Sequence, residues 1–182
     1  MQKRSQTTRE ALVRAAVELI ANGRFADTGL VNICKTAGVS RGALYHHFLS
    51  IAELLAEVHT QARDRVDELA EHSLVEARAD APARFSVALG KALAEEQLVR
   101  AGLQLAADGT DNPPWLRDEV LVRVRDQVLA VGADELDRQV LADLAVVVTA
   151  GLVSLGYTDT AWWSPEHAER IWGVLLPLFT RA

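Results

Sequence analysis

Ala37-Gly38-Val39-Ser40-Arg41-Gly42-Ala43-Leu44-Tyr45-His46-His47-Phe48 is the stretch that decides the fold of this chain. Gly38 supplies a tight turn, and Ser40 is placed to cap the short helix that follows it. Before the turn, Thr28 can cap a helix running to about Lys35, with Leu30, Ile33 and Ala37 facing inward. Two short helices joined by a turn containing glycine fit a helix-turn-helix. Leu44 and Phe48, four residues apart, are expected to bury with Val39 against the first helix of the chain. That leaves Ser40, Arg41, Tyr45 and His46 on or near the exposed side. An arginine early in such a helix can fork onto guanine O6 and N7, a contact worth ~1–3 kcal/mol of discrimination. Gly42 and Ala43 let the backbone approach a groove, and the helix starts at Thr28 and Ser40 offer N–H groups to phosphate. Spacing alone leaves a generic helical hairpin open, and it leaves Tyr45 open as a packing residue. His46 and His47 point ~100° apart on a helix, which argues against a metal pair.

The flanks extend the helical pattern. Thr7-Thr8-Arg9-Glu10 reads as a capping box ahead of the apolar stripe Leu12, Ala15, Ala16, Leu19 and Ile20, and Asn22-Gly23 closes that helix. Ser50-Ile51-Ala52-Glu53 is a second capping box, opening a long helix expected to reach about Ala79. Asp80-Ala81-Pro82 starts another, which breaks between Glu95 and Gln97. A short helix then ends near Ala107. After a loop from Asp108 to Asn112, Pro113-Pro114 begin a helix to about Val131. A strongly apolar helix ends near Gly156, and Ser164-Pro165-Glu166 opens the last one. The expected fold is all-α with about nine helices. Residues 1–48 form a helix-turn-helix head, and residues 49–182 form an effector-binding and dimerisation body.

Totals narrow the function. Hydrophobic residues make up 49% of 182, enough for a substantial core. Cys34 is the one cysteine, so an intrachain disulfide and a cysteine metal cage are excluded, and it reads as a packed thiol. The net charge of −6 argues at first against nucleic acid. Residues 1–47, however, hold seven basic residues against three acidic ones, a balance of +4, while the remaining 135 hold 12 against 22, a balance of −10. A basic head on an acidic body suits a phosphate-binding module joined to one that does not bind phosphate. No apolar signal core opens the chain, and the run Leu144 to Leu155 is shorter than the ~20 residues a bilayer needs. A soluble, cytoplasmic protein with no membrane association is therefore expected.

The body carries two further signals. The helix ending at Gly156 is apolar nearly all round, and the last helix adds Ile171, Trp172, Val174, Leu175, Leu176, Leu178 and Phe179. One small domain struggles to cover both, so a face shared with a second copy is expected, with Ala145, Val148, Leu152, Ile171, Leu175 and Phe179 as its residues. The candidate pocket wall is Phe85, Leu89, Leu93, Leu103, Trp115, Leu116 and Val120, residue types that are more often plain core than ligand contacts. Thr149 can hydrogen-bond a ligand or its own helix. A small helical enzyme is the reading from another class. His46, His47, His59, His72 and His167 are scattered, and none has an acid or nucleophile at useful spacing. His59 and Asp64, five apart, match no metal motif. No enzyme, cofactor or metal is expected.

Phe25, Thr28, Leu30, Ile33 and the run Ala37 to Phe48 resemble the DNA-binding domain of the tetracycline-repressor (TetR) family over roughly residues 7–55. The resemblance implies that Arg41, Gly42 and Ala43 face bases, that Thr28, Tyr45 and His47 hold phosphates, and that His46 does either. With Lys35 and Ser40 these complete the candidate DNA-binding set. It also implies a homodimer on a pseudo-palindromic duplex operator. One departure stands out: the family's usual phosphate-contacting lysine after the phenylalanine is replaced within Leu49-Ser50-Ile51. One fewer phosphate contact per subunit lowers the salt slope by about one. Lys3 and Arg4, expected on an N-terminal arm, can compensate. Arg100-Ala101-Gly102-Leu103-Gln104-Leu105-Ala106, Gly132 to Leu136, Gly151 and Trp172 are similar to the γ-butyrolactone autoregulator receptors of actinomycetes. That resemblance implies a repressor released by a small hydrophobic effector, with Trp115 over a lactone ring. An orphan regulator without such a ligand is the alternative, kept by the missing lysine and a short loop before Trp115.

Overall fold

The computed structural model describes residues 2–23, 29–74, 78–105, 115–131 and 135–181, with side chains described for all of these except 2–5, 135, 136 and 181. Among the described residues there are nine α-helices and no strand. They are α1 (Gln2–Ala21), α2 (Leu30–Ala37), α3 (Arg41–His47), α4 (Ile51–Ser73), α5 (Ala81–Glu95), α6 (Gln97–Leu105), α7 (Leu116–Leu129), α8 (Glu135–Gly156) and α9 (Pro165–Arg181). A short 3-10 turn, Thr160–Trp163, joins α8 to α9.

Local chemistry explains most boundaries. The Ser40 hydroxyl accepts from the Ala43 amide at 3.1 Å, and the Ser50 hydroxyl accepts from the Glu53 amide at 3.1 Å. Glu53 reaches back to the Leu49 amide, so the second capping box is closed from both sides. Ser164 caps α9 by accepting from the His167 amide at 3.2 Å. The first expected cap is corrected: α1 begins at Gln2, ahead of Thr7. Nothing in Gln2 to Gln6 breaks a helix, so the turn propagates backwards. Lys3 and Arg4 therefore belong to α1 and not to an arm. The long helix α4 stops at Ser73, short of Ala79. Thr28, the expected loop from Asp108 to Asn112 and the helix start expected at Pro113-Pro114 lie outside the described residues. The turn holding Trp163 was not anticipated; Asp159 starts it by accepting from the Ala161 amide at 3.0 Å.

The chain divides into two compact units. One comprises residues 1–64 with 97–116, the other residues 65–96 with 117–182. In the first, Leu12, Ala16, Leu19 and Ile20 of α1 meet Ile33, Leu44, Phe48, Leu54, Val58 and Ala101 in one core. Here α6 lies along α1, and Gly102 lets it approach α4, because a Cβ at 102 would overlap that of Ala62. In the second unit α5 packs on α8, α9 and the 3-10 turn. Trp163 is 2% exposed, donates its indole N–H to the Val153 carbonyl at 3.1 Å, and sits between Gly90 and Gly156. Arg65 forks onto Glu96, the non-helical residue between α5 and α6, at 2.8 Å for both bonds, and these hydrogen bonds, with its charge as a smaller cause, hold the Glu96 carboxyl below the usual range.

The apolar helix α8 departs from the sequence reading in one respect. Asp137–Gly156 is, by length and composition alone, long and apolar enough to cross a membrane, which the narrower run Leu144 to Leu155 had not suggested. Its inward face, Ala142, Ala145, Thr149, Leu152 and Val153, is buried in protein.

Candidate nucleic-acid interface

Gly38 makes the turn possible. Its φ of 68° lies in the left-handed region, where a side chain is strained. In that conformation its own amide donates to the Lys35 carbonyl at 3.2 Å and the Val39 amide donates to the Cys34 carbonyl at 3.0 Å, which closes α2. After Ser40, α3 runs for seven residues. Leu44 is wholly buried and Phe48 nearly so, and together they fix the helix from behind. The opposite side is open: Ser40, Arg41, Gly42, Tyr45 and His46 are exposed, while Ala43 and His47 are half-buried. Tyr45 is 55% exposed, which decides against the packing alternative. Lys35 is exposed at the end of α2. Among the described residues the Arg41 guanidinium makes no hydrogen bond or ion pair. Its charge pulls the buried Cys34 thiol down while burial, the larger cause, pushes it up. Cys34 is thus a packed, protonated thiol. The His46 and His47 rings meet edge to face with centroids 5.2 Å apart, and no His/Cys/Asp/Glu cluster suited to a metal occurs among the described residues.

An ion pair behind α3 was not legible in the sequence. The Arg9 guanidinium donates to both Glu57 oxygens, at 3.0 and 2.8 Å, and lies 4.9 Å from the centroid of the Phe48 ring. Gln61 donates to the same carboxylate at 2.8 Å. Through these bonds Arg9 is raised and Glu57 lowered from their ordinary pKa values. Arg9 and Glu57 are 48 residues apart, beyond the reach of any local pattern.

The candidate pocket residues do not form one group. Leu103, Trp115 and Leu116 belong to the first unit; Phe85, Leu89, Leu93, Val120 and Thr149 belong to the second. All but Trp115, which is half-buried, are buried. The structure does bring Leu89, Leu93 and Thr149 together, around a cavity of about 10 Å³ that also meets Ser86, Trp162 and Trp163. Ser86 and Thr149, 4% and 1% exposed, share a hydrogen bond of 2.9 Å. That space holds no more than one water.

The residues expected at a shared face differ in exposure. Ala145, Leu152 and Phe179 point into their own unit and are buried there, because α8 and α9 use those positions to cover α5. Val148, Ile171 and Leu175 are half-buried. The exposed large apolar side chains of α8 and α9 are Val140, Val147, Leu155, Val174 and Leu178, which are 62%, 66%, 43%, 77% and 48% exposed.

Comparison with known proteins bears on this geometry. Residues 12–58 match the family model for bacterial regulatory proteins of the tetR family. The transcriptional regulator UidR of Escherichia coli K12 is 35% identical over 65 residues, which are 36% of this chain and 33% of that protein. The regulator AcrR of Shigella flexneri is 34% identical over 65 residues, 36% and 30% of the two chains. The matched segment thus spans about a third of the curated relatives, and those relatives are transcriptional regulators rather than enzymes. Across the chain the fold is similar to a solved γ-butyrolactone receptor, an ArpA-like protein, with a TM-score of 0.74 at 21% identity over 98% of this chain and 97% of that one. It is also similar to CprB of Streptomyces coelicolor in complex with its operator, with a TM-score of 0.72 at 24% identity over 96% and 88% of the chains.

Proposed function

We propose that this protein, whose residues 12–58 match the model for bacterial regulatory proteins of the tetR family, is a dimeric, cytoplasmic repressor that binds duplex DNA through α3. The reading rests on one observation: Arg41, Gly42 and Tyr45 are presented outward while Leu44 and Phe48 hold the same helix from behind. Residues 1–48 act as the DNA-binding head, with Lys35, Ser40, Ala43, His46 and His47 beside those contacts and Thr28 as a further phosphate contact. Residues 49–182 act as the effector and dimer body. Two copies related by a two-fold axis carry their recognition helices into successive major grooves, ~34–36 Å apart, and so require a pseudo-palindromic site. The exposed apolar side chains Val140, Val147, Val174 and Leu178 of α8 and α9 support that pairing, since a second copy would remove them from water.

The effector in this reading is a small hydrophobic molecule of the γ-butyrolactone type. The hydroxyl pair Ser86–Thr149, buried under Trp163, supports it by offering the polar anchor an otherwise apolar site needs. With room for one water, the cavity admits a ligand only by opening. A ligand that binds the open form alone shifts the population by its differential affinity. The same small cavity favours a second reading, an orphan regulator that answers no such ligand. Selection of bound duplexes from a random pool tests the DNA reading, and recovery of no enriched sequence sinks it. Calorimetric titration with a γ-butyrolactone separates the two regulator readings: heat that disappears in Thr149→Val supports the receptor, and no heat supports the orphan.

A further inference from the structure

We infer that Arg9 is a positioning residue that fixes the recognition helix from behind and is not itself a phosphate contact. The inference rests on the DNA-binding reading above but concerns a residue outside its contact set. At two turns, α3 is too short to hold a conformation alone, so its angle depends on how its two ends are anchored. The N-terminal end is held by the Gly38 turn and the Ser40 cap. The C-terminal end is Phe48, whose amide donates to the Leu44 carbonyl at 2.9 Å and whose ring is 1% exposed. Arg9 covers that ring at 4.9 Å and forks onto Glu57 of α4. Gln61, one turn further along, fixes the carboxylate. One guanidinium thus ties α1, the end of α3 and α4 together. Planar stacking and a two-pronged bond are both things a lysine does not provide.

By charge alone Arg9 belongs to the basic head that attracts phosphate. The geometry assigns its charge elsewhere. Both prongs are engaged with a carboxylate lowered by that contact, although the arginine side chain is 42% exposed. Losing it should therefore weaken specific binding without changing how many counterions are released. A phosphate contact behaves oppositely, since each one lost lowers the salt slope by about one.

The test uses the full-length protein with the substitutions Glu57→Gln and Arg9→Gln, and Arg65→Lys as a control at the forked pair with Glu96. Hydrogen exchange at the Phe48 amide is read without DNA. Binding to a duplex selected by the unaltered protein, and to a scrambled duplex of equal length, is read as a function of salt. The expected result for both head variants is faster Phe48 exchange and about tenfold weaker binding to the selected duplex, the scale of one part-exposed ion pair plus one cation–π contact. Scrambled-duplex binding and the salt slope stay unchanged. The control shifts the thermal midpoint but neither head readout. A slope reduced by about one per subunit in Arg9→Gln, or Phe48 exchange unmoved in both head variants, overturns the inference. If the unaltered protein selects no duplex, the DNA reading fails, and the exchange arm still decides the role of the ion pair.

Discussion

Replacing Arg41 by alanine separates base reading from phosphate holding. Arg41 is exposed on α3 and, among the described residues, engages no acceptor of its own, so the truncation breaks no hydrogen bond or ion pair seen there. Its loss should move folding stability by no more than ~0.5 kcal/mol, as for other surface changes. If the guanidinium forks onto a guanine, each half-site loses ~1–3 kcal/mol of discrimination. A symmetric dimer has two half-sites, so the total is ~2–6 kcal/mol, a fall of about 30-fold to about 10⁴-fold in specific affinity. The assay is fluorescence anisotropy of a labelled selected duplex at several salt concentrations, beside a scrambled duplex. Specific binding should fall within that range, scrambled binding should stay level, and preference at one base pair of each half-site should relax. Equal weakening on both duplexes, with a salt slope lower by about two per dimer, would make Arg41 a phosphate contact and refute the reasoning.

Three other outcomes follow from the structure. Gly156→Ala drives a Cβ into the Trp163 indole, which the Val153 carbonyl and Gly90 keep from retreating, so it should cost about 3 kcal/mol and lower the melting temperature by ~6–12 °C in calorimetry. Val174→Arg places a charge on the most exposed of the outward apolar positions, and sedimentation should show the chain shifted toward monomer with its helicity intact. Glu57 and Glu96 are both held below the ordinary carboxylate range by their arginines, so their stabilisation is complete above the unfolded value of ~4.3 and is lost as pH falls through the lower folded values. Acid unfolding followed by circular dichroism should begin below about pH 4.3, and Glu57→Gln with Glu96→Gln should flatten that dependence.

What the sequence revealed was local, and what it concealed was tertiary. Gly38, Ser40 and Ser50 each act within four residues, and the structure finds each in the expected role. The buried set Leu44 and Phe48 followed from helical period alone. On a helix apolar all round, period cannot tell which stripe covers α5 and which faces out: Ala145 and Leu152 are buried, whereas Val140 and Val147 are exposed. Trp163 was missed because its turn is too short to show a period, and its marks, Gly90 and Gly156, lie on two different helices. Arg9 was read as head charge because its partner is distant in the chain. Which pocket residues come together was equally invisible, since Leu103 and Leu89 look alike in sequence and fold into different units.

Ile51 tests how far local chemistry can be traded against electrostatics. It stands within the segment where the resembling family carries a phosphate-contacting lysine, and here it packs, half-buried, against the core of the first unit. Full burial of such a side chain contributes ~1.5–3 kcal/mol, so partial burial contributes less. A lysine stem can cover much of the same apolar surface while its ammonium reaches water. Ile51→Lys should therefore cost no more than about 1 kcal/mol of stability, a loss visible as a lower melting temperature. On DNA the gain should exceed the loss at low salt: one added phosphate contact per subunit raises the salt slope by about two per dimer, and the advantage should fade as salt rises. Tighter binding with an unchanged slope would mean that the new lysine acts through the fold, and that residue 51 does not face the duplex at all.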